Sequence, residues 1–288
     1  MSDRLVPQRP SGPPGGSPAL VLDLALSPPV AIRKLPGDAH WQWLAEGWRD
    51  LRRAPRPGIL IGLLVTGCAL ALILGMITIG FGTSIPVMIG AFALAGPLVA
   101  TGLYSVSRRL DRGEVPRGAD AFPHRVLENM GSPTQLAMAG FVMLVILMVW
   151  ARIAALLYSV TLGSLGPYAP ARFIDKLLMT PEGLTMLVVG TAIGAGIALV
   201  TFVLFAFSVP LMYARKIDII SAMILSAAAV GLNRMAMAGF AFNIVLMLAL
   251  TLATGLLALV FVFPWLGHAT WRAYKSVMDD GMPEAGQS

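Results

Sequence analysis

The chain reads as an all-α, polytopic membrane helix bundle, and three observations say so. Five stretches, 58–80, 85–107, 135–163, 183–213 and 236–266, each reach or exceed the about 20 mostly apolar residues that a spanning helix needs. Together they hold one formal charge, Arg152, and no Asp or Glu. The whole chain is 57% apolar and 12% charged, with a mean hydropathy of +0.77, which leaves a water-soluble domain too little polar surface to cover itself.

Residues 1–37 hold eight of the 21 prolines together with many Gly and Ser. That composition buries too little apolar surface to offset ordering entropy, so a flexible tail is expected. The apolar run at 19–26 is too short for a signal core, is broken by Asp23 and lacks a basic cluster immediately before it, so no cleaved signal peptide is expected. Asp38 is placed to cap a helix over 38–54 that Pro55 and Pro57 end. On a helical wheel Trp41, Leu44, Ala45, Trp48 and Leu51 share one face, with Gln42, Glu46, Arg49, Asp50 and Arg53 on the other. Such a helix either lies in the headgroup layer or packs on the protein's own inner side.

The membrane domain then occupies 58–276, with a flexible tail over 277–288. Of 21 Lys and Arg, eight lie at or before Arg56, five from Arg108 to Arg125, three from Arg215 to Arg234, and two, Arg272 and Lys275, follow the last apolar stretch. The positive-inside rule puts these groups in the cytoplasm. Five crossings would send Arg272 and Lys275 outside. Two short helices within 235–276, joined by a turn near 251–255, return them inside, so six transmembrane helices are expected, as three hairpins with both termini cytoplasmic.

Each hairpin is expected to follow a cytoplasmic amphipathic helix: the one over 38–54, a second opened by Asp120 with Phe122, Val126, Leu127 and Met130, and a third opened by Asp218 with Ile219, Ile220, Met223, Ile224, Ala227 and Val230. The pentapeptide at 137–141 returns unchanged at 236–240. Each returning helix carries a proline, Pro97, Pro210 or Pro264, as a candidate kink. These features suggest an internal threefold repeat.

Chemistry-bearing groups are few. Arg152 is the one ionisable residue inside the apolar stretches, so it is a functional candidate, although its place late in its helix also suits snorkelling toward headgroups. In the external loop, 173–179 suits a short interfacial helix, and Thr180-Pro181-Glu182 reads as cap, first residue and favoured acid of the next helix. Small residues four apart, at Gly58 and Gly62, at Gly67, Ala71 and Gly75, and at Gly190 and Gly194, allow close helix approach.

Of the three histidines, His268 is the one near a membrane edge, and a single histidine cannot hold a haem from both sides. Cys68 is the lone cysteine, which excludes an internal disulfide. The loop acids, Asp111, Glu114, Asp120, Glu128 and Asp218, read as solvated charges among arginines. No phosphate loop, nucleophile elbow or dinucleotide fingerprint occurs in its required setting. No cofactor, metal or enzymatic activity is expected, and nucleic acid is not an expected partner because the basic residues are dispersed between hydrophobic helices.

An ordered set of strings resembles the bacterial integral membrane family known as domain of unknown function 2189. It runs from Ile32-Arg33-Lys34 and the three tryptophans of 41–51, through Gly96-Pro97-Leu98, Gly102-Leu103-Tyr104 and the arginine-rich 108–114, to Phe207-Ser208-Val209-Pro210-Leu211 and Gly267-His268-Ala269-Thr270-Trp271. The resemblance covers roughly 30–278 and implies an integral membrane protein with no established activity. The expected role is a non-catalytic inner-membrane accessory, scaffold or lipid-facing component. Its contact surface would be Trp41, Trp48, Arg52, Arg108, Arg109 and His268, and its partners lipids, another membrane protein or a second copy. The alternative is a transporter or channel for a small neutral or anionic solute.

Overall fold

The computed structural model describes residues 19–21, 30–118, 131–163 and 170–279. The second expected amphipathic helix, opened by Asp120, lies outside them. The described chain is helical: α1 (Ala39–Arg53), α2 (Pro55–Thr78), α3 (Ile85–Val99), α4 (Thr101–Asp111), α5 (Pro133–Thr161), α6 (Pro170–Met179), α7 (Pro181–Phe205), α8 (Ser208–Ala214), α9 (Ile219–Leu232), α10 (Arg234–Ala253) and α11 (Leu259–Val277). Among the described residues five helical runs are long and apolar enough to cross a membrane: α2, α3 with α4, α5, α7 with α8, and α10. Leu63, Leu64, Val160, Val188 and Val245 are among many large apolar side chains left exposed on them, as lipid contact requires.

The helix ends follow local chemistry. Pro55 forces Ala54 out of the α region, to φ −129° and ψ 62°, which makes the elbow between α1 and α2. Gly80 (φ 82°) closes α2 in a Schellman turn, with Phe81 N–H on the Met76 carbonyl at 2.7 Å. Thr180 caps α7 by accepting from Gly183 N–H at 3.1 Å, with Pro181 first and Glu182 in the first turn. Asp218 caps α9 through Ser221 N–H at 2.9 Å, whereas Asp38 makes no side-chain cap on α1.

The region 235–276 is two helices. Gly255 (φ 60°) and Leu256 (φ 72°) turn the chain, and Leu256 N–H reaches the Thr251 carbonyl at 2.8 Å. α11 then packs along α1 and the first part of α2. Val260's carbonyl backs onto Gly62, where a Cβ would sit 2.0 Å away, and α2 runs on past this contact to Thr78.

Two of the three candidate kink prolines sit beside breaks. α3 gives way to α4 at Ala100, three residues after Pro97, and α7 gives way to α8 at Phe207, three before Pro210. α11 passes through Pro264 as one helix. At the second break the hydroxyl of Ser226 is inserted in the ladder: it accepts from Phe207 N–H at 3.2 Å and donates to the Val203 carbonyl at 2.9 Å. Those are the two groups that a regular helix would join directly. The start of α5 is strapped to the end of α8, with Gly131 and Ser132 N–H on the Tyr213 and Met212 carbonyls.

Three expectations are corrected. The expected tails 1–37 and 277–288 contribute a three-stranded antiparallel sheet, β1 (Ala19–Val21), β2 (Ala31–Arg33) and β3 (Met278–Asp279), in that order, and Ile32 and Met278 are buried. The segment opened by Asp218 is not amphipathic: Ile219, Ala222, Leu225 and Ala229 face inward, but Ile220 and Ile224 face outward. The pentapeptide copies pack differently, with Phe141 67% exposed and Phe240 2% exposed, so the shared string does not mark a repeated packing unit.

Candidate functional site

Polar side chains meet where α1, α4 and α11 come together at the arginine-rich end of the bundle. α1 turns Trp43, Leu44, Gly47, Asp50 and Leu51 inward. Gly47 permits this, since a Cβ there would lie 2.5 Å from the Ala269 backbone nitrogen. The inward face is therefore rotated from the expected one: Trp41 is 61% exposed and Trp48 also faces out, while Asp50, expected in solvent, is only 2% exposed.

Arg272 of α11 lies between two carboxylates. Its Nε donates to Asp50 Oδ2 and its Nη1 to Asp111 Oδ1, each at 2.6 Å. Trp271 Nε1 donates to Asp111 Oδ2 at 2.8 Å, so Asp111 is also no free solvated charge. A guanidinium offers several fixed donors and suits such a double engagement. The attraction must offset the large cost of taking these charges out of water, and paired hydrogen bonds are what make that possible.

Beside this pair, Ser107 Oγ donates to Asp50 Oδ2 at 3.3 Å and lies 2.7 Å from His268 Nδ1. With the serine proton on Asp50, the imidazole carries its proton on Nδ1 and donates to Ser107. His268 Nε2 is then a bare acceptor, buried with no partner among the described residues, on the side of Gly58, where a Cβ would stand 3.8 Å away. Serine, histidine and aspartate invite comparison with a nucleophile relay, but there the imidazole sits between hydroxyl and carboxylate. Here the hydroxyl sits in the middle, and both Ser107 and His268 are 0% exposed. The arrangement is a strut between helices.

The expected contact surface is thus divided. Trp41, Trp48 and Arg52 are exposed, with the Arg52 guanidinium 6.0 Å from the Trp48 ring centre and Trp48 against Trp265 at 5.1 Å. Arg108 lies over the Tyr213 ring at 5.7 Å, and Arg109 pairs with Glu114 at 2.9 Å. His268 belongs to the interior. Arg152 is exposed on α5 and is not part of this cluster. Among the described residues no group of three or more His, Cys, Asp or Glu is placed to hold a metal.

A second feature lies toward the other end. α3, α5 and α7 enclose an open apolar groove of about 580 Å³, edged by Val245 and Leu252 of α10. Trp150 floors it, with Nε1 on the Val87 carbonyl at 3.3 Å. Gly90 and Gly194 make room for the indole, since a Cβ at either would stand 3.2 or 3.1 Å from it.

Residues 84–214 match the family model described as predicted integral membrane protein (DUF2189). Over that stretch the chain is similar to this family. The DUF2189 segment runs from the start of α3 to the end of α8, so it holds Ser107, Asp111, the groove helices and the broken α7–α8 run. Asp50, His268 and Arg272 lie outside it, as do the strings at 32–34, 41–51 and 267–271 that also carried the resemblance. No curated protein and no solved structure matches the chain.

Proposed function

We propose that this protein is a non-catalytic component of the bacterial inner membrane, crossing it six times with both termini in the cytoplasm, and serving as an accessory or scaffold. The observation that carries the reading is the cluster of buried Asp50, Ser107 and His268 with half-buried Asp111 and Arg272. Its side chains bond to one another and cross-link α1, α4 and α11, with His268 Nε2 the one cluster atom buried without a partner among the described residues. The open groove, by contrast, is lined almost entirely by apolar side chains and leaves Arg152 outside it, which suits lipid contact better than passage of an anion. α10, at 20 residues, is long enough to span, and the sixth crossing is supported by the basic residues, since a return through α11 brings Arg272 and Lys275 to the side of Arg108 and Arg215.

The test is purification of the full chain in mild detergent, followed by reconstitution. The reading expects a membrane protein, or a second copy of this chain, to co-purify in fixed stoichiometry, and vesicles that show no solute flux above protein-free controls. Flux that disappears with Pro210→Ala or Arg152→Ala would establish a transporter instead.

A further inference from the structure

The outer face of α1 and α2 changes character within one helical turn. Arg49, Arg52 and Arg53 follow the i, i+3, i+4 spacing of one face of α1, Arg56 opens α2 just past the elbow, and all four are exposed. Leu60, Leu63 and Leu64 continue the exposed surface of α2 immediately beyond. The acids nearby leave most of this stripe uncompensated: Asp50 is turned inward onto Arg272, and Glu46 accepts from Gln42 at 2.9 Å and lies 3.7 Å from Arg49. Among the described residues Arg53 and Arg56 have no ion-pair partner. At the edge of the stripe Trp48 rests on Trp265, whose Nε1 is anchored to the Leu44 carbonyl at 2.8 Å, and Arg52 lies over Trp48. The aromatic pair holds one guanidinium in place on the surface.

We infer that this elbow is a binding site for an anionic phospholipid of the inner leaflet. The phosphate-bearing headgroup sits on Arg52, Arg53 and Arg56, and an acyl chain runs along Leu60, Leu63 and Leu64. Charge complementarity selects the occupant: the cations meet the layer where anionic headgroups concentrate, and the adjoining leucines meet hydrocarbon. A guanidinium also engages phosphate through paired donors. The inference rests on the cytoplasmic placement of α1 in the proposal above.

The full chain, reconstituted in phosphatidylcholine vesicles, is titrated with phosphatidylglycerol or phosphatidylcholine brominated in the acyl chains. Tryptophan quenching is compared between the parent and Trp48→Phe, so that the signal at the elbow is isolated. Phosphatidylglycerol is expected to associate at least about fivefold more strongly than phosphatidylcholine, the factor that one surface cation supplies. That preference should fall as salt is raised and vanish when Arg52, Arg53 and Arg56 are all replaced by Gln. Equal quenching by the two lipids, or a preference that ignores salt, overturns the site, as does a preference that survives in a triple variant eluting like the parent. Displacement of the lipid by inorganic phosphate overturns the lipid assignment in favour of a simple anion site. Sidedness is read separately, by impermeant thiol labelling of a cysteine appended after Ser288 in a Cys68→Ala background. Lost lipid preference with a cytoplasmic label refutes the site alone, whereas a periplasmic label refutes the topology.

Discussion

Replacing Arg272 by Met removes the cation shared by Asp50 and Asp111 while keeping much of the side-chain volume. Asp111 is 26% exposed and keeps the Trp271 indole donor, so it can turn toward water. Asp50 cannot: its side chain is 2% exposed, and Ser107 Oγ at 3.3 Å is the weaker side-chain donor that stays beside it. Removing one partner of a buried pair costs about 3–5 kcal/mol, because a charge is left without compensation. Arg272→Met should therefore destabilise the detergent-solubilised full chain by that amount, followed by tryptophan fluorescence during denaturant unfolding. Adding Asp50→Asn should recover a large part of the loss, since the stranded charge is then gone. A single variant within about 1 kcal/mol of the parent, or a double variant whose loss is the sum of the two singles, would show that the pair does not hold α1 against α11.

Other outcomes follow from particular contacts. Gly47→Ala places a methyl against the Ala269 backbone and should cost about 1–3 kcal/mol, whereas Gly67→Ala, with nothing within 4 Å of the added Cβ, should be neutral or slightly stabilising in the same assay. Ser226→Ala strands Phe207 N–H and the Val203 carbonyl, and should lower stability by about 1–3 kcal/mol while speeding amide exchange at Phe207. Asp218→Ala should cost about 1 kcal/mol, the usual worth of an N-cap. The hydroxyl and amide of Ser221 hold the Asp218 carboxyl below the usual carboxylate range. A lowered folded-state pKa contributes stability above the unfolded value and loses it as pH falls through the folded one. The difference between parent and Asp218→Ala should therefore be full at pH 6 and shrink below about pH 4, as read by thermal unfolding across pH.

What could be read in advance was whatever depends on composition and local chemistry. Apolar runs without acids marked the five long helical runs, because lipid forces every backbone group to pair within its own helix. Pro55, Thr180, Asp218 and the 251–255 turn were legible from the stereochemistry of single residues. The polar cluster was not. Asp50 looks solvated on a wheel, since its partner Arg272 lies more than 200 residues away, and a one-step rotation of α1 exchanged Trp41 for Trp43 on the inner face. Small-residue spacing proved an incomplete guide for the same reason: Gly58, Gly62, Gly190 and Gly194 meet neighbours, while Gly67 and Gly75 face open space. Ser226 gave no signal, because a hydroxyl becomes a ladder insert only when another helix brings a broken turn to it. The shared pentapeptide misled because a string fixes composition but not which face packs.

The central claim is that the apolar segments thread the bilayer as three hairpins, and the turn at 254–258 is where it is most exposed to failure. Leu257 is 68% exposed there. In a Cys68→Ala background, Leu257→Cys should react with a membrane-impermeant maleimide added to intact spheroplasts, and should be protected in inverted vesicles. Labelling confined to inverted vesicles, or absent from both preparations, would contradict the account.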